Sequence, residues 1–526
     1  MNRTVKLAGY RLPGLGIFLL LSSCMVGPDY VRPSTDTAAQ WLDSEDARLN
    51  TKSTNVQDWW KTFNDPILNR LIERAYLNNL DIRVAGVRVI EARAQVGIAT
   101  GNLYPQNQQL TGSLSKVHLS QRASQAAFSH IFDYDQTQLG LTASWEIDFW
   151  GKFRRAIESA DAEFQAAVAN YNTALVSLTA DVAHAYITIR TLEKRLSIAQ
   201  QNVDTQKANL QLAKIRYEGG TTSERDVEQA RTVLASTQAT IPTLEIGLRQ
   251  QQNALSVLLG MPPRRIDDLL SGNAQIPAPP AQVVVGLPAE LLRRRPDVHA
   301  AEFRAAAQSA SIGVTKAALY PAFSLTGTFG LLSTDVGSFA LSDVFLWKSR
   351  TANFGPALQW NIFNYGQITN QVRVQDARLQ ALLISYQNTV LTAQREVEDN
   401  LVAFLRSQER ARSLGEGIAA ARHSLELATL QYRQGITDFT TVLTAQQALL
   451  NEQDNLASTL GEISNNLVGV YRTLGGGWQI REGNDVVPAS VKKEMTKRTD
   501  WGGLLSPAAL PAPDSRKSSG IGWPQW

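Results

Sequence analysis

The sequence predicts an α+β membrane protein built from a duplicated unit, in which two strands precede one very long helix. Three observations predict it. The first is an internal repeat: Trp145, Gly151, Tyr171, Tyr217, Gly220 and Gly260 match Trp360, Gly366, Tyr386, Tyr432, Gly435 and Gly475, each pair 215 residues apart. The second is alternation of apolar and polar residues over stretches of about ten, the mark of strands with two unlike faces. The third is an apolar series spaced 3, 4, 3, 4 that continues far beyond the length of a compact domain.

The chain opens with an address. Arg3, Lys6 and Arg11 precede the apolar run Leu15–Leu21 and the small residues Ser22 and Ser23. Residues 1–23 therefore read as a secretory signal peptide, with an apolar run too short to stay in a bilayer as a helix. The sequence has 51 Lys+Arg against 48 Asp+Glu, and the three basic residues of this segment account for the whole excess. The remainder is balanced, unlike a nucleic-acid binder, and no nucleic-acid partner is expected. Cys24 is the only cysteine, which excludes an internal disulfide framework. The five histidines have no ligand-like spacing, so no metal, cofactor or enzymatic chemistry is expected.

The strands come in two hairpins, at about 106–149 and about 322–364. In the first, Leu139, Leu141, Ala143, Trp145, Ile147 and Phe149 share one face, and Thr142, Ser144, Glu146 and Asp148 the other. Phe323–Leu331 alternates likewise, as do Phe354, Pro356, Leu358, Trp360 and Ile362; the stretch around Leu110, Gly112 and Leu114 is weaker. Strands of about ten residues cross a bilayer when tilted. The loops at about 119–135 and 334–350 would then be extracellular.

Long helices follow at about 152–217 and 367–432. Leu175, Leu178, Val182, Ala185, Ile189, Leu192 and Leu196 carry the heptad spacing in the first, and Val390, Ala393, Val397, Phe404 and Ala411 in the second. Each would be on the order of 100 Å long at 1.5 Å per residue. Shorter helices at about 67–103, 223–259, 289–319 and 438–474 stack end to end beside them. Four strands cannot close a barrel, and an open edge cannot face lipid. The chain must therefore oligomerise, as a dimer of about eight strands or a trimer of about twelve.

Two motifs carry a family resemblance. Leu21-Ser22-Ser23-Cys24 resembles the bacterial lipobox, which implies cleavage before Cys24 and acylation of that residue. Met25, in place of the aspartate of inner-membrane lipoproteins, implies delivery to the outer membrane. Cys24-Met25-Val26-Gly27-Pro28-Asp29-Tyr30 with Pro33, and Leu287-Pro288-Ala289-Glu290-Leu291-Leu292-Arg293-Arg294-Arg295-Pro296-Asp297-Val298 with Ala301-Glu302, resemble outer-membrane efflux lipoproteins of the OprM/NodT type, relatives of TolC. The resemblance implies a homotrimer: a 12-stranded outer-membrane β-barrel continued by a periplasmic α-helical barrel with an equatorial belt. It also implies two partners, a periplasmic adaptor (a membrane fusion protein) and an inner-membrane transporter of the RND type. Cargo would be antibiotics, solvents or other toxic compounds. Two alternatives stay open here: a duct for type I protein secretion, and a pore-less lipid-anchored coiled-coil scaffold.

On this plan residues 24–66 form a lipid-anchored N-terminal segment, 67–260 the first repeat, 261–288 an equatorial connector and 289–475 the second repeat. Residues 476–526 form an equatorial segment and a weakly ordered tail. The resemblance puts the two helix turns at the periplasmic tip, so Gly219, Gly220, Thr221, Thr222, Gly435, Ile436 and Thr437 would dock the adaptor. Relatives often carry aspartates six and nine residues after the second tip glycine, narrowing the closed pore. Here those positions are Thr441 and Thr444, with Asp226 and Asp438 as nearby acids.

Overall fold

The computed structural model describes residues 25–50, 56–122, 131–272, 274–280, 282–286, 288 and 294–506. The signal peptide, Cys24, Arg293, the middle of the first loop and the tail beyond 506 lie outside the described residues.

The duplication governs the architecture. Helices α2 (Leu80–Gly101), α3 (Lys152–Glu218) and α4 (Glu224–Leu258) have 22, 67 and 35 residues. Their counterparts α6 (Pro296–Ala317), α7 (Gln367–Arg433) and α8 (Phe439–Thr473) have the same three lengths. Each long helix starts after a glycine with positive φ, Gly151 or Gly366. Among the described residues, α1 (Pro66–Asn78), the single-turn α5 (Asp267–Leu270) and α9 (Ala489–Arg498) are further α-helices. Among the described residues no helix is long and apolar enough to cross a membrane.

One sheet has the order β2 (Asn107–His118), β3 (Asp133–Ile147), β5 (Ala322–Thr334) and β6 (Arg350–Gln359), all antiparallel. Its register puts Gln109, Thr142, Thr328 and Asn353 in one row, and Leu110, Leu141, Phe329 and Ala352 in the next. The sheet is thus polar on one face and apolar on the other. Matching indoles brace its base: Trp145 Nε1 donates to Leu103 O, and Trp360 Nε1 donates to Leu319 O, both at 3.1 Å. A second, two-stranded sheet pairs β1 (Leu49–Asn50) in parallel with β4 (Val283–Val284), tying the N-terminal segment to the connector.

Beside the sheet end the helices lie in the order α2, α3, α6, α7; toward the far end the order is α4, α3, α8, α7. α3 is interior in both halves and α7 is at an edge in both. That is why α3 buries residues along most of its length while its twin α7 buries few. The main core sits where the two orders meet. There Trp59 stacks on Tyr471 at 5.5 Å, and Asp65 caps α1 while accepting from Tyr186 Oη at 2.8 Å. Arg295, in the triple-arginine motif, is a buried brace: it donates to Asp297, Glu396 and the carbonyl of Thr473.

The structure departs from the sequence reading at three places. The helix expected at about 67–103 breaks at Asn79, whose side chain accepts from Ile82 N and donates to Leu258 O, both at 3.0 Å. The last strand stops at Gln359, because its partner β5 begins at Ala322, directly after Pro321; Trp360 and Ile362 have no strand to pair with. The segment from 488 to 506 is not a weakly ordered tail. Val486, Val487, Met495 and Leu505 bury themselves in the main core, and α9 forms between them. Four apolar anchors outweigh the polar composition of this stretch.

Candidate functional site

At the end farthest from the sheet, the helix pairs turn back. α3 closes with the N–H of Gly220 donating to Tyr217 O at 2.9 Å and that of Thr221 to Arg216 O at 2.8 Å. α7 closes in the same way, Gly435 N–H to Tyr432 O at 3.0 Å and Ile436 N–H to Gln431 O at 2.9 Å. Both are double-bonded C-terminal caps that need a left-handed residue, supplied by Gly220 (φ 71°) and Gly435 (φ 76°). No atom lies within 4 Å of where a Gly220 Cβ would stand, so conformation rather than space demands glycine there.

The structure gathers the sequence-predicted residues into two clusters. In the first turn, Thr222 Oγ1 donates to the buried carboxylate of Asp226. In the second, Asp438 caps α8: its Oδ1 accepts from Thr441 N at 3.1 Å and from Thr441 Oγ1 at 2.8 Å. Thr437 Oγ1 also donates to Thr441 Oγ1 at 3.1 Å. These bonds stabilise the ionised form and hold the Asp438 carboxyl below the usual range. Thr444 stands apart, its hydroxyl turned back to Thr440 O at 2.9 Å. Gly219, Gly220, Thr221, Gly435, Ile436 and Thr437 lie on the turn surface, largely exposed.

Beneath the turns is a small separate core of Ala213, Val227, Ala230, Ala428, Tyr432, Phe439, Val442 and Leu443. Tyr432 and Phe439 pack ring against ring at 5.1 Å. Arg216 lies over the Tyr432 ring at 4.6 Å and donates to Tyr432 O at 2.6 Å, crossing from one repeat to the other. Burial pushes the Tyr432 phenol up. The sequence reading placed Arg216 and Tyr432 in the turns without seeing this crossing. The available signal was repeat asymmetry, since Phe439 occupies the position held by Glu224 in the first copy.

At the opposite end, the first described residues dock on the helices just below the sheet. Val26 N donates to Trp150 O at 3.1 Å, and the buried Arg155 pairs with Asp29 at 2.6 Å. Gly27 passes so close to Gly313 that a Cβ on it would stand 2.4 Å from the Gly313 Cα. Arg32 pairs with the buried Glu302, and further along Leu42 N donates to Glu398 at 3.0 Å. Residues 25–50 are thus a strap running from the sheet base along α6 and α7. Cys24, the expected lipidation site, lies outside the described residues.

Comparison with known proteins places this arrangement. Nodulation protein T of Rhizobium leguminosarum bv. viciae is 31% identical over 89% of this chain and 94% of its own length. The toluene efflux pump outer membrane protein TtgC of Pseudomonas putida is 31% identical over 90% of this chain and 96% of its own. The solved structure of the outer-membrane channel OprN matches with a TM-score of 0.81 and 34% identity, covering 87% of this chain and 100% of that one. The family model for outer membrane efflux proteins matches residues 71–261 and 287–476, the two repeats in turn. With both repeats matched and the same strand–helix plan in a solved channel, the chain belongs to the outer membrane efflux protein family.

Proposed function

We propose that this chain is the outer-membrane exit duct of a tripartite efflux pump, passing toxic small molecules such as solvents or antibiotics out of the cell. One observation carries the reading. The sheet leaves β2 and β6 unpaired, and the helices beside it leave α2 and α7 at the edges, in the same order around the chain. Joining β6 of one copy to β2 of the next brings α7 to α2 in the same step, a head-to-tail contact that closes into a ring. Three copies make a barrel of about twelve strands with room for a wet lumen. The row of Gln109, Thr142, Thr328 and Asn353 faces that lumen, and the Leu110 row faces lipid.

The chain is an outer-membrane protein anchored through Cys24, one peptide bond before Met25. Met25 packs against Gly151 at the sheet base, where an acyl chain would enter the adjacent leaflet. The turns around Gly220 and Gly435 dock a periplasmic adaptor that links the duct to an inner-membrane transporter of the RND type. Asp438, Thr441 and Thr444 line the narrow end, and Asp226, buried beneath Thr222, backs the first turn. The toluene efflux relative supports small toxic molecules over secreted proteins as cargo. The test is conductance of the purified, lipidated protein in planar bilayers, together with susceptibility of a deletion strain. Discrete steps from a cross-linked trimer and a solvent- or antibiotic-sensitive deletion are expected. A monomer that stays silent, even with Gly220 and Gly435 substituted, would favour the scaffold.

A further inference from the structure

Between β5 and β6 the chain reads Phe339-Ala340-Leu341-Ser342-Asp343-Val344-Phe345-Leu346-Trp347-Lys348-Ser349-Arg350, mostly apolar and ending in two cations. It folds as two short 3₁₀ turns, Leu341–Phe345 and Trp347–Ser349. Asp343 ties them together. Its carboxylate accepts from Ala340 N at 2.9 Å, and its carbonyl accepts from Leu346 N at 2.9 Å and from Ser349 Oγ at 2.6 Å. Val344 is 3% exposed, whereas Phe345 and Trp347 are 77% and 70% exposed, with Phe339 and Leu346 exposed beside them. One buried anchor thus holds an apolar surface outward, and such a surface marks an interaction.

Two observations say what covers it. The first is the side of the sheet on which the turns lie. Ser333 shares the apolar face of β5 with Leu331 and Phe329, and its Oγ donates to Ala340 O at 2.8 Å. The first turn packs on β3 and β5. The turns are therefore folded down outside the sheet, continuous with the face of Leu141 and Phe329 and away from the polar one. The second observation is charge. Arg350 stands on that same apolar face, opposite Leu331. Its guanidinium lies 4.7 Å from the centre of the Trp347 ring, and Nη1 donates to Trp347 O at 2.8 Å. Lys348 is exposed nearby, and among the described residues neither cation forms an ion pair.

We propose that residues 339–350 are a binding platform for phosphorylated lipid in the outer leaflet of the outer membrane. Phe345, Leu346 and Trp347 enter the acyl region, and Lys348 and Arg350 hold a headgroup phosphate. Aromatic side chains favour the depth where acyl chains meet headgroups. Basic residues there attract anionic lipid, and a guanidinium matches the geometry of a phosphate. The turns are already set by Asp343, so little ordering has to be lost on binding. The proposal rests on the duct reading only in placing the sheet across the membrane.

Fluorescent lipid A, a phosphorylated and multiply acylated glycolipid, titrated onto the full-length lipidated protein in mild detergent tests the platform without a membrane. Lys348→Gln with Arg350→Gln is expected to weaken binding at least about tenfold, through loss of two basic contacts to an anionic lipid. Phe345→Ser with Trp347→Ser should weaken it as well, whereas Lys348→Arg should leave it near the parental value. These side chains are exposed, so melting temperatures should not move; a double variant that melts lower is replaced by its two single substitutions. No binding by the parent, or equal binding by the parent and both double variants, would overturn the proposal. Displacement by inorganic phosphate at the same concentration would overturn it too, since the site would then be one for free phosphate. Nitroxide labels at Phe345→Cys and, as a control, Leu141→Cys locate the turns in vesicles of phosphatidylcholine with lipid A. Both labels are expected to meet dissolved oxygen more readily than a water-soluble nickel chelate. With the Leu141 label in lipid, a Phe345 label open to nickel, or shielded from both reagents by a neighbouring copy, overturns the proposal. A Leu141 label open to nickel removes the duct reading instead, and the titration then decides the platform alone.

Discussion

Tyr217 and Tyr432 occupy matching places in the two tip turns, yet Tyr217 is 45% exposed and Tyr432 only 3%. The cause lies in a neighbour. Tyr432 has Phe439 to pack against, whereas the residue matching Phe439 in the first copy is Glu224. A duplicated sequence has thus produced one ordered aromatic corner and one open one. The tip is asymmetric within each chain.

That asymmetry predicts unequal effects of equal substitutions. Phe439→Ala should destabilise the tip by about 3 kcal/mol, the usual loss for emptying a buried aromatic site. Tyr217→Ala should change it by less than about 0.5 kcal/mol, as exposed substitutions do. Limited proteolysis between residues 210 and 445 would show fast cleavage in the first variant and parental cleavage in the second.

Gly220→Ala and Gly435→Ala each place a Cβ at positive φ in a cap. Each should weaken its turn by about 1–2 kcal/mol. The open space around Gly220 makes this a conformational effect. Replacing Gly220 with Asn, which tolerates the left-handed region, should recover much of the loss. Amide exchange at Thr221 and Ile436 would report both.

The cap on α8 should depend on pH in one direction. Because the folded-state pKa of Asp438 lies below its ordinary value of 3.8, the cap contributes stability above that value and loses it as pH falls through the depressed one. Fraying of the first turn of α8, followed by amide exchange at Thr441, should therefore begin only in strong acid. Asp438→Asn should keep the cap and abolish this dependence, since asparagine caps about as well as aspartate.

The strap offers a fourth test. Gly27→Val puts a branched side chain at φ 103° and against the Gly313 backbone, where no flexible group can yield. Residues 25–32 should detach, leaving Glu302 buried without Arg32 and Arg155 with Glu158 alone, and lowering the melting temperature by several degrees. Cleavage by chymotrypsin after Tyr30 in this variant, against protection in the parent, is the measurement.

The duplication, the two hairpins and the long helices were legible because each leaves a periodic trace in apolar residues. Leu175, Val182 and Ile189 announce α3 by spacing alone. The break at Asn79 was not legible, since it depends on a carbonyl at Leu258, far along the chain. Nor was α9, which is held by scattered anchors rather than by its own periodicity. The bonds from Asn202 and Asn209 to Gln453 and Gln446 of the second repeat escaped for a subtler reason. Reading heptads through their apolar members discards the polar positions, and Asn202, Asn209 and Arg216 are periodic only among themselves. Of the tip residues, the glycines were legible from the geometry a turn demands. The burial of Asp226 and Tyr432 was not, because it depends on what the other repeat brings to them.

The route of the N-terminal strap dictates an order of events during biogenesis. Residues 27–32 rest on α6, residues 38–48 on α7, and β1 pairs with β4, all of them made after the first repeat is complete. The strap's first residues find Trp150 and Arg155 within the first repeat, but the strap is not fully seated until Glu409, 361 residues beyond Arg48, has been made. Contacts of such sequence separation form late. The newborn chain must cross its first membrane with its leading end only partly docked, and the strap closes over the two repeats only after both have been made.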